Sequence, residues 1–534
     1  MKKKFKYLTL ILLTILISGL YSGLLQKGCF ISDDGSHLLI RMGAAWKALG
    51  EGQLPLRWSG SLNHGFGYPV FNFLYPLYLY LGAFIHIFGV GLVSSFKIIL
   101  LSAVLASFFT CFLFLSLFFA FEPALAGALF YVLANYRWQQ VFVRASVGEV
   151  LAMALAPLVF YFAISLRNNK DSFYIIGLAV SLAMLILSHN TLSLLFVLLF
   201  VGFLILNFYH SKEYLFRVGL SLILGLGLSA FFWFPAIMER NFTYSALLPV
   251  SDFNNYFLNW KELFNGRINL GFFIPPFLLI GFWYLIKRKS KNYNAWFFAL
   301  ASVVLILLTF NSGVSKALWN ISHLESIVQF PWRILALVVF CSSFVVAYCF
   351  RQANAPKLVL VVFFVWQIIN VVKFVKPERS FYPDEYYLTN DGTTTTKNEF
   401  LPIWVKEPMG QRVENLAFFY DKNGIQVEEN YRIIEQKENI IVLSVDNKDE
   451  IKVVLNKVYF PGWTVNGKKA HYNDNGLIDF ELAPVGERSD SEVTVLFQNT
   501  TIRIISNIIT LVSFFILLVV FGKNAYAKRF YEKK

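Results

Sequence analysis

Two adjacent carboxylates, Asp33 and Asp34, begin a polar cluster that runs on through Gly35, Ser36, His37 and Arg41, directly after the first long apolar stretch. Carboxylates at a membrane surface can remove a hydroxyl proton or hold a cation. The same pair could cap a helix running from about His37 to Leu49, because a carboxylate at a helix start accepts from free N–H groups. The two roles are compatible, since a capping position also fixes a carboxylate in space. A third acid, Glu149, closes the run Arg144, Ser146, Gly148 at the mouth of a later apolar stretch, where an ionisable group is rarely idle. Arg144 and Glu149 could equally pair with each other or snorkel to the surface. Arg333 ends the run Gln329, Phe330, Pro331, Trp332 and offers a planar fork suited to a phosphate, with snorkelling as its alternative. His189 and Asn190, between two apolar stretches, suit an interhelical hydrogen bond. Trp58, Ser59, Gly60, His64, Gly65, Gly67, Tyr68 and Pro69 lead into Phe71, Asn72, Phe73, Tyr75 and Pro76. Such aromatic density is either an interfacial belt or a platform for a sugar or lipid head group. His37, His64 and Tyr68 therefore join Arg144 and Arg333 as candidate substrate-binding residues.

These residues need a membrane to position them. Of 534 residues, 57% are hydrophobic, only 15% are charged and 57 are Phe, more apolar surface than a water-soluble domain of this size can hide. The net charge of +14 comes from Lys and Arg in short clusters between apolar runs, not from one basic face, so a nucleic-acid partner is not expected. The clusters act as topology signals facing anionic membrane lipids. Four cysteines show no CxxC and no metal spacing, so no disulfide framework is implied.

Stretches long enough to cross a bilayer lie near residues 8–25, 71–92, 97–120, 149–166, 173–189, 190–208, 215–237, 268–287, 295–310, 333–350, 357–375 and 503–522. The fold class expected is thus a polytopic α-helical membrane protein with about a dozen spans. The shorter run from Pro123 to Tyr136 reads as a half-inserted or interfacial helix. With it excluded, Lys2 to Lys6, Arg167/Lys170, Lys212/Arg217, Lys287 to Lys291, Arg351/Lys357 and Lys523/Lys528/Arg529 all fall inside. Both termini are then cytoplasmic. A signal peptide over residues 1–25 is the alternative, but no clear small-x-small cleavage site follows. Gly225 and Gly227 lie inside an apolar stretch and suit close helix packing.

Residues 26–70, 121–148 and 376–500 then face outside, with shorter loops at 238–267 and 311–332. The division is a transmembrane region over 1–375, a β-rich extracytoplasmic domain over 376–500, and a last span with a basic tail over 501–534. In the β-rich domain, Ile478, Phe480 and Leu482 alternate with Asp479 and Glu481, and Val493, Val495 and Phe497 do the same. Asn423-Gly424, Asn466-Gly467 and Asn475-Gly476 supply hairpin turns, so a small antiparallel sandwich is expected, with Trp463 anchoring its core.

Acids after the first span and in the next external loop, many spans and a trailing β domain together resemble an integral-membrane glycosyltransferase of the GT-C architecture. More narrowly, the chain resembles the bacterial membrane-protein family labelled 6-pyruvoyl-tetrahydropterin synthase-related, and its larger relatives that glycosylate wall polymers. The matching stretches are Asp33 to His37, Gly67 to Pro76, Arg144 to Glu149, Gln329 to Arg333, Asn398 to Pro402 and Tyr459 to Gly467. The zinc-binding histidines of soluble pterin synthases have no counterpart. The resemblance implies transfer of a sugar from a polyprenyl-phosphate carrier to a cell-envelope acceptor on the outer face. It assigns Asp33 or Asp34 as base or metal ligand and Glu149 as second acid, and leaves open whether a divalent metal takes part. Arg144 and Arg333 would meet the departing phosphate. A transporter or flippase is the rival: Pro157 and Pro275 with Pro276 interrupt apolar stretches, but the charged residues sit at outer span ends and no internal symmetry is visible.

Impermeant cysteine labelling in intact cells checks the topology. A cysteine at Lys468 should react and one at Lys289 should not; the reverse pattern overturns the assignment.

Overall fold

The computed structural model describes residues 2–207, 211–246, 253–353, 357–372, 377–392, 394–395, 397–412, 415–484 and 491–531. The ends of the expected stretches 190–208 and 357–375, and part of the loop 238–267, lie outside these residues.

Helices form on each of the apolar stretches, but they are not of equal length. Four of the described helical segments are long and apolar enough to cross a bilayer: Leu92–Ser116, Val147–Asn168, Pro331–Ala353 and Thr501–Gly522. A fifth crossing results if Lys212–Leu228 and Ala230–Met238, bent by 70° at their junction, count as one. Six other apolar helices have 10–17 residues. At 1.5 Å per residue these reach roughly 15–26 Å, short of the ~30 Å hydrocarbon core. Among the described residues, four or five of the dozen expected crossings are thus long and apolar enough by themselves.

The Leu335–Ala353 helix is the buried centre, packed on Tyr293–Thr309, Phe121–Leu133 and Ile274–Lys287. Phenylalanine rings fill the contacts: Phe298 stacks on Phe344 at 4.5 Å, and Phe160 meets Phe340 at 5.0 Å. The Phe121–Leu133 helix, expected as half-inserted or interfacial, has its apolar residues buried between Leu335–Ala353 and Leu92–Ser116. The prolines do not break helices where expected. Pro157 lies within the continuous Val147–Asn168 helix, and Pro275 and Pro276 occupy the first turn of Ile274–Lys287, where a missing N–H costs no hydrogen bond. The breaks fall instead after Phe73 and at Ser229. Gly227 packs so closely that an added Cβ would come within 2.0 Å of Ser513 Oγ on the last helix.

Twelve strands are described. β1 (Cys29–Phe30) pairs antiparallel with β2 (Arg379–Ser380), tying the 26–70 segment to the start of the 376–500 region. The remainder are β3 (Ala417–Tyr420), β4 (Gln426–Val427), β5 (Asn430–Gln436), β6 (Ile440–Asp446), β7 (Ile451–Val458), β8 (Trp463–Val465), β9 (Lys468–Lys469), β10 (His471–Tyr472), β11 (Leu477–Leu482) and β12 (Ser491–Phe497). They form two five-stranded antiparallel sheets, ordered β10-β11-β7-β3-β4 and β5-β6-β12-β8-β9. Phe419 of one sheet meets Tyr431 of the other at 5.4 Å. The Asn-Gly turns are present: Asn466 and Gly467 both take positive φ, 48° and 78°, the geometry a two-residue hairpin requires. Asp479, on the alternating strand, is buried because it pairs with Lys452 at 2.7 Å.

Two of the contacts that dock the β sheets on the remainder lie side by side. Trp463, 1% exposed, sits edge-on to Trp58 of the 26–70 segment at 5.3 Å and to Phe497 at 5.3 Å. Beside it, Glu239 at the end of the Ala230–Met238 helix accepts from Arg503 Nε and Nη2 at 3.0 and 2.9 Å, Thr500 Oγ1 at 2.7 Å and Asn72 Nδ2 at 2.8 Å. Arg503 also donates to Pro461 O at 3.0 Å, so one buried ion pair joins bundle, last helix and β region.

Trp463→Ala should destabilise the full chain by about 3–5 kcal/mol, the usual cost of deleting a buried aromatic. Thermal unfolding in detergent measures it; an unchanged melting temperature would show the indole to be dispensable.

Candidate functional site

Backbone pairing brings the 26–70 and 121–148 segments together. Asp33 N donates to Val143 O at 3.0 Å and Asp34 N to Arg144 O at 2.9 Å, so the aspartates lie alongside the chain that carries Arg144. Asp34 then stands at the N-cap of the Gly35–Gly50 helix, close to the expected helix from about His37 to Leu49. Its side chain makes no capping hydrogen bond; it accepts from Arg144 Nη2 at 2.9 Å.

Arg144 in turn reaches inward. Its Nη1 donates to Glu149 Oε1 at 2.6 Å and to Gln140 Oε1 at 2.9 Å, and its guanidinium lies 4.4 Å from the Trp332 ring centre. Arg333 Nε donates to the same Glu149 oxygen at 3.1 Å, and its Nη1 to Gln329 Oε1 at 2.9 Å. Tyr136 donates to Glu149 Oε2 at 3.4 Å, and His189 Nε2 lies 3.7 Å from Oε1. The inward direction of both arginines replaces the snorkelling alternative, while the expected Arg144–Glu149 pair is present. Tyr75 stacks on His189 at 4.9 Å. Gly148 is what admits this approach, since an added Cβ would lie 2.4 Å from the Tyr75 ring and 2.6 Å from Ser188 O.

The cluster runs from dry to wet. The Glu149 side chain is 0% exposed and that of Arg144 6%, whereas Asp34 is 39% and Asp33 35% exposed. Asp33 pairs with Arg267, a residue that no sequence spacing singled out. His37 sits one helical turn beyond Asp34; burial and the nearby Arg41 hold its imidazole below the usual pKa, and Asp34 opposes them. Chemically, this is a half-exposed carboxylate held by a guanidinium whose own position is set by a buried acid.

Other candidates lie elsewhere. Tyr68 is buried, its hydroxyl 2.7 Å from Thr394 Oγ1, which also accepts from Arg41 Nε at 2.9 Å. These two clamp the segment at Thr394 and do not meet Asp34. His64 faces Asp391 at 3.9 Å across a separate cavity. No group of three His, Cys, Asp or Glu side chains suited to a metal is found among the described residues. A divalent cation bound by protein alone needs about six oxygens. With Asp33 and Asp34 each tied to an arginine, the donor set does not fit a resident protein-only metal centre, and no step below passes through one.

No protein-family model matches the chain, and no curated protein does. Among solved structures it is similar to the apo oligosaccharyltransferase of Archaeoglobus fulgidus, with 10% identity, TM-score 0.47, and 78% of this chain and 62% of that one covered. It is also similar to the arabinofuranosyltransferase AftD from Mycobacteria, at 16% identity and TM-score 0.45, over 70% of this chain and 26% of that one. ArnT from Cupriavidus metallidurans, bound to undecaprenyl phosphate, is similar at 11% identity and TM-score 0.37, over 68% and 70%. The chain spans less than two thirds of the length of the first two.

Glu149→Gln should lower stability by about 3–5 kcal/mol, because it leaves two buried guanidiniums without their shared anion. Unfolding in detergent measures this; a melting curve like that of the unmodified protein would mean another group neutralises Arg144 and Arg333.

Proposed function

We propose that this chain is a GT-C-type glycosyltransferase that moves a sugar from a polyprenyl-phosphate carrier to a cell-envelope acceptor at the outer membrane face. The observation that carries the proposal is Asp34: half-exposed, at a helix start, and fixed by Arg144, which the fully buried Glu149 anchors. The motif resemblance supports the same reading. In it, 1–375 and the last helix form the membrane region, both termini are cytoplasmic, the shorter apolar helices are re-entrant or cross where the bilayer thins, and 376–500 is the external domain.

The acceptor hydroxyl attacks the anomeric carbon as the bond from that carbon to the carrier phosphate breaks. Asp34 takes the hydroxyl proton. Negative charge grows on the departing phosphate, and Arg144 and Arg333 are the cations that meet it in this scheme. Glu149, with no exposure, is a positioning residue in this scheme. Asp33, bound to Arg267, orients the edge of the site or the acceptor.

A positioned base contributes about 100-fold to 10,000-fold in rate. Asp34→Asn should therefore cut turnover of a polyprenyl-phosphate sugar by that order at normal membrane levels, with Asp33→Asn losing less. Donor consumption by the purified proteins decides it. Full activity in both variants would remove the transferase proposal and bring a transporter forward.

A further inference from the structure

Away from Asp34, a cavity of about 620 Å³ opens between the first external segment, residues 388–391 and the β sheets. Four cations line it, Lys47, Arg412, Lys437 and Lys457, against two acids, Asp391 and Glu438. Glu438 is already engaged: it accepts from Gly60 N at 2.5 Å and Ser61 N at 3.0 Å, and pairs with Lys47 at 3.0 Å. Arg412 is only loosely held, 3.7 Å from Asp391. Lys457 is buried and makes no ion pair among the described residues; its ammonium donates to Gly60 O at 2.9 Å and Gly65 O at 2.5 Å. Burial pushes its pKa down to about 8, so at neutral pH it still presents a positive charge to the cavity.

The rim is held in a costly shape. Asn63, His64 and Gly65 adopt φ of 59°, 56° and 83°, three left-handed residues in succession, two of them not glycine. Strain of this kind collects at ligand clamps. It is held by Lys457 on the carbonyls and by His64 N, which donates to Asp391 O at 2.6 Å. The walls add the amides of Gln436, Asn415 and Asn456, which can pair with hydroxyls, and the apolar Phe66 and Leu416.

Position adds the last argument. Asp34 caps the start of the 16-residue Gly35–Gly50 helix and Lys47 stands in its last turn. At 1.5 Å per residue the cavity lies about 20 Å from the carboxylate, too far to hold the reacting sugar.

We propose that this cavity binds an anionic saccharide unit of the acceptor polymer, charged through a carboxylate or a phosphate, at a distance from the point of transfer. The proposal rests on the transferase reading for the word acceptor, and on the cavity alone for the binding. Its consequence is processive or length-dependent recognition: a chain seated here reaches Asp34 with its far end.

The test uses the full chain in detergent, titrated with oligogalacturonate, glycerol-phosphate oligomers and neutral dextran oligomers of equal length. One or both anionic probes should bind at least tenfold tighter than dextran, with affinity falling as salt rises. The tighter of the two identifies the anion. Arg412→Gln with Lys437→Gln should cost at least tenfold in that affinity; both side chains are exposed, 71% and 41%, and so are their partners Asp391 and Glu435, 30% and 40%, so the fold survives their loss. Equal binding of dextran, or unchanged affinity in the double variant with an unchanged melting temperature, overturns the site. Anionic binding by a protein that turns over no polyprenyl-phosphate sugar would instead overturn the transferase reading and leave the cavity standing.

Discussion

A carboxylate with no access to water, Glu149, organises one end of the helical bundle. Burying a charge is expensive unless it is paired and hydrogen-bonded, and here two guanidiniums and a tyrosine hydroxyl do that. Each partner is thereby fixed in a different element: Arg144 just before the Val147–Asn168 helix, Arg333 just before Leu335–Ala353, Tyr136 in the short helix between. Asp34 acquires its position at third hand, through Arg144. The exposed half of the site is thereby tied to its buried half.

The bundle uses the same device a second time. Glu239 and Arg503, both buried, join a helix end, the last helix and the carbonyl of Pro461 in the β region. Pairs of this kind add little net stability compared with apolar packing but are specific in geometry. The Trp58–Trp463 contact supplies the apolar part of the same junction. Together they set the β sheets against the 26–70 segment, which is what closes the cavity beside Lys457.

Lipid-facing and protein-facing helices separate clearly. The Leu335–Ala353 helix is enclosed on every side, whereas the last helix leaves Ile504, Ile508, Leu511, Phe515 and Val519 exposed. In water such a face would associate; in hydrocarbon it needs no partner. The non-helical positions at Leu74, Tyr75 and Ser229 are themselves buried, as irregular backbone at membrane depth requires.

The sequence by itself determined whatever depends on local pattern. Runs of apolar residues located the helices, two-residue alternation located β11 and β12, and the Asn-Gly pairs located the turns. It placed Asp33 or Asp34 at a helix start and offered an Arg144–Glu149 pair beside snorkelling. Tertiary structure decided the remainder. Whether an apolar helix crosses or stops short is a matter of its end points, which composition blurs; of the dozen stretches, four or five carry helices long enough to cross among the described residues. Pro157 and the Pro275-Pro276 pair suggested breaks that the chain does not make there. Spacing grouped His64 and Tyr68 with the site, yet His64 faces Asp391 and Tyr68 meets Thr394, because each loop's path is set by its packing on distant strands. Arg267, more than two hundred residues from Asp33, and Arg503, likewise far from Glu239, were invisible for the same reason. A charge pair leaves no periodic trace in a sequence; only the folded chain brings its two halves within 4 Å.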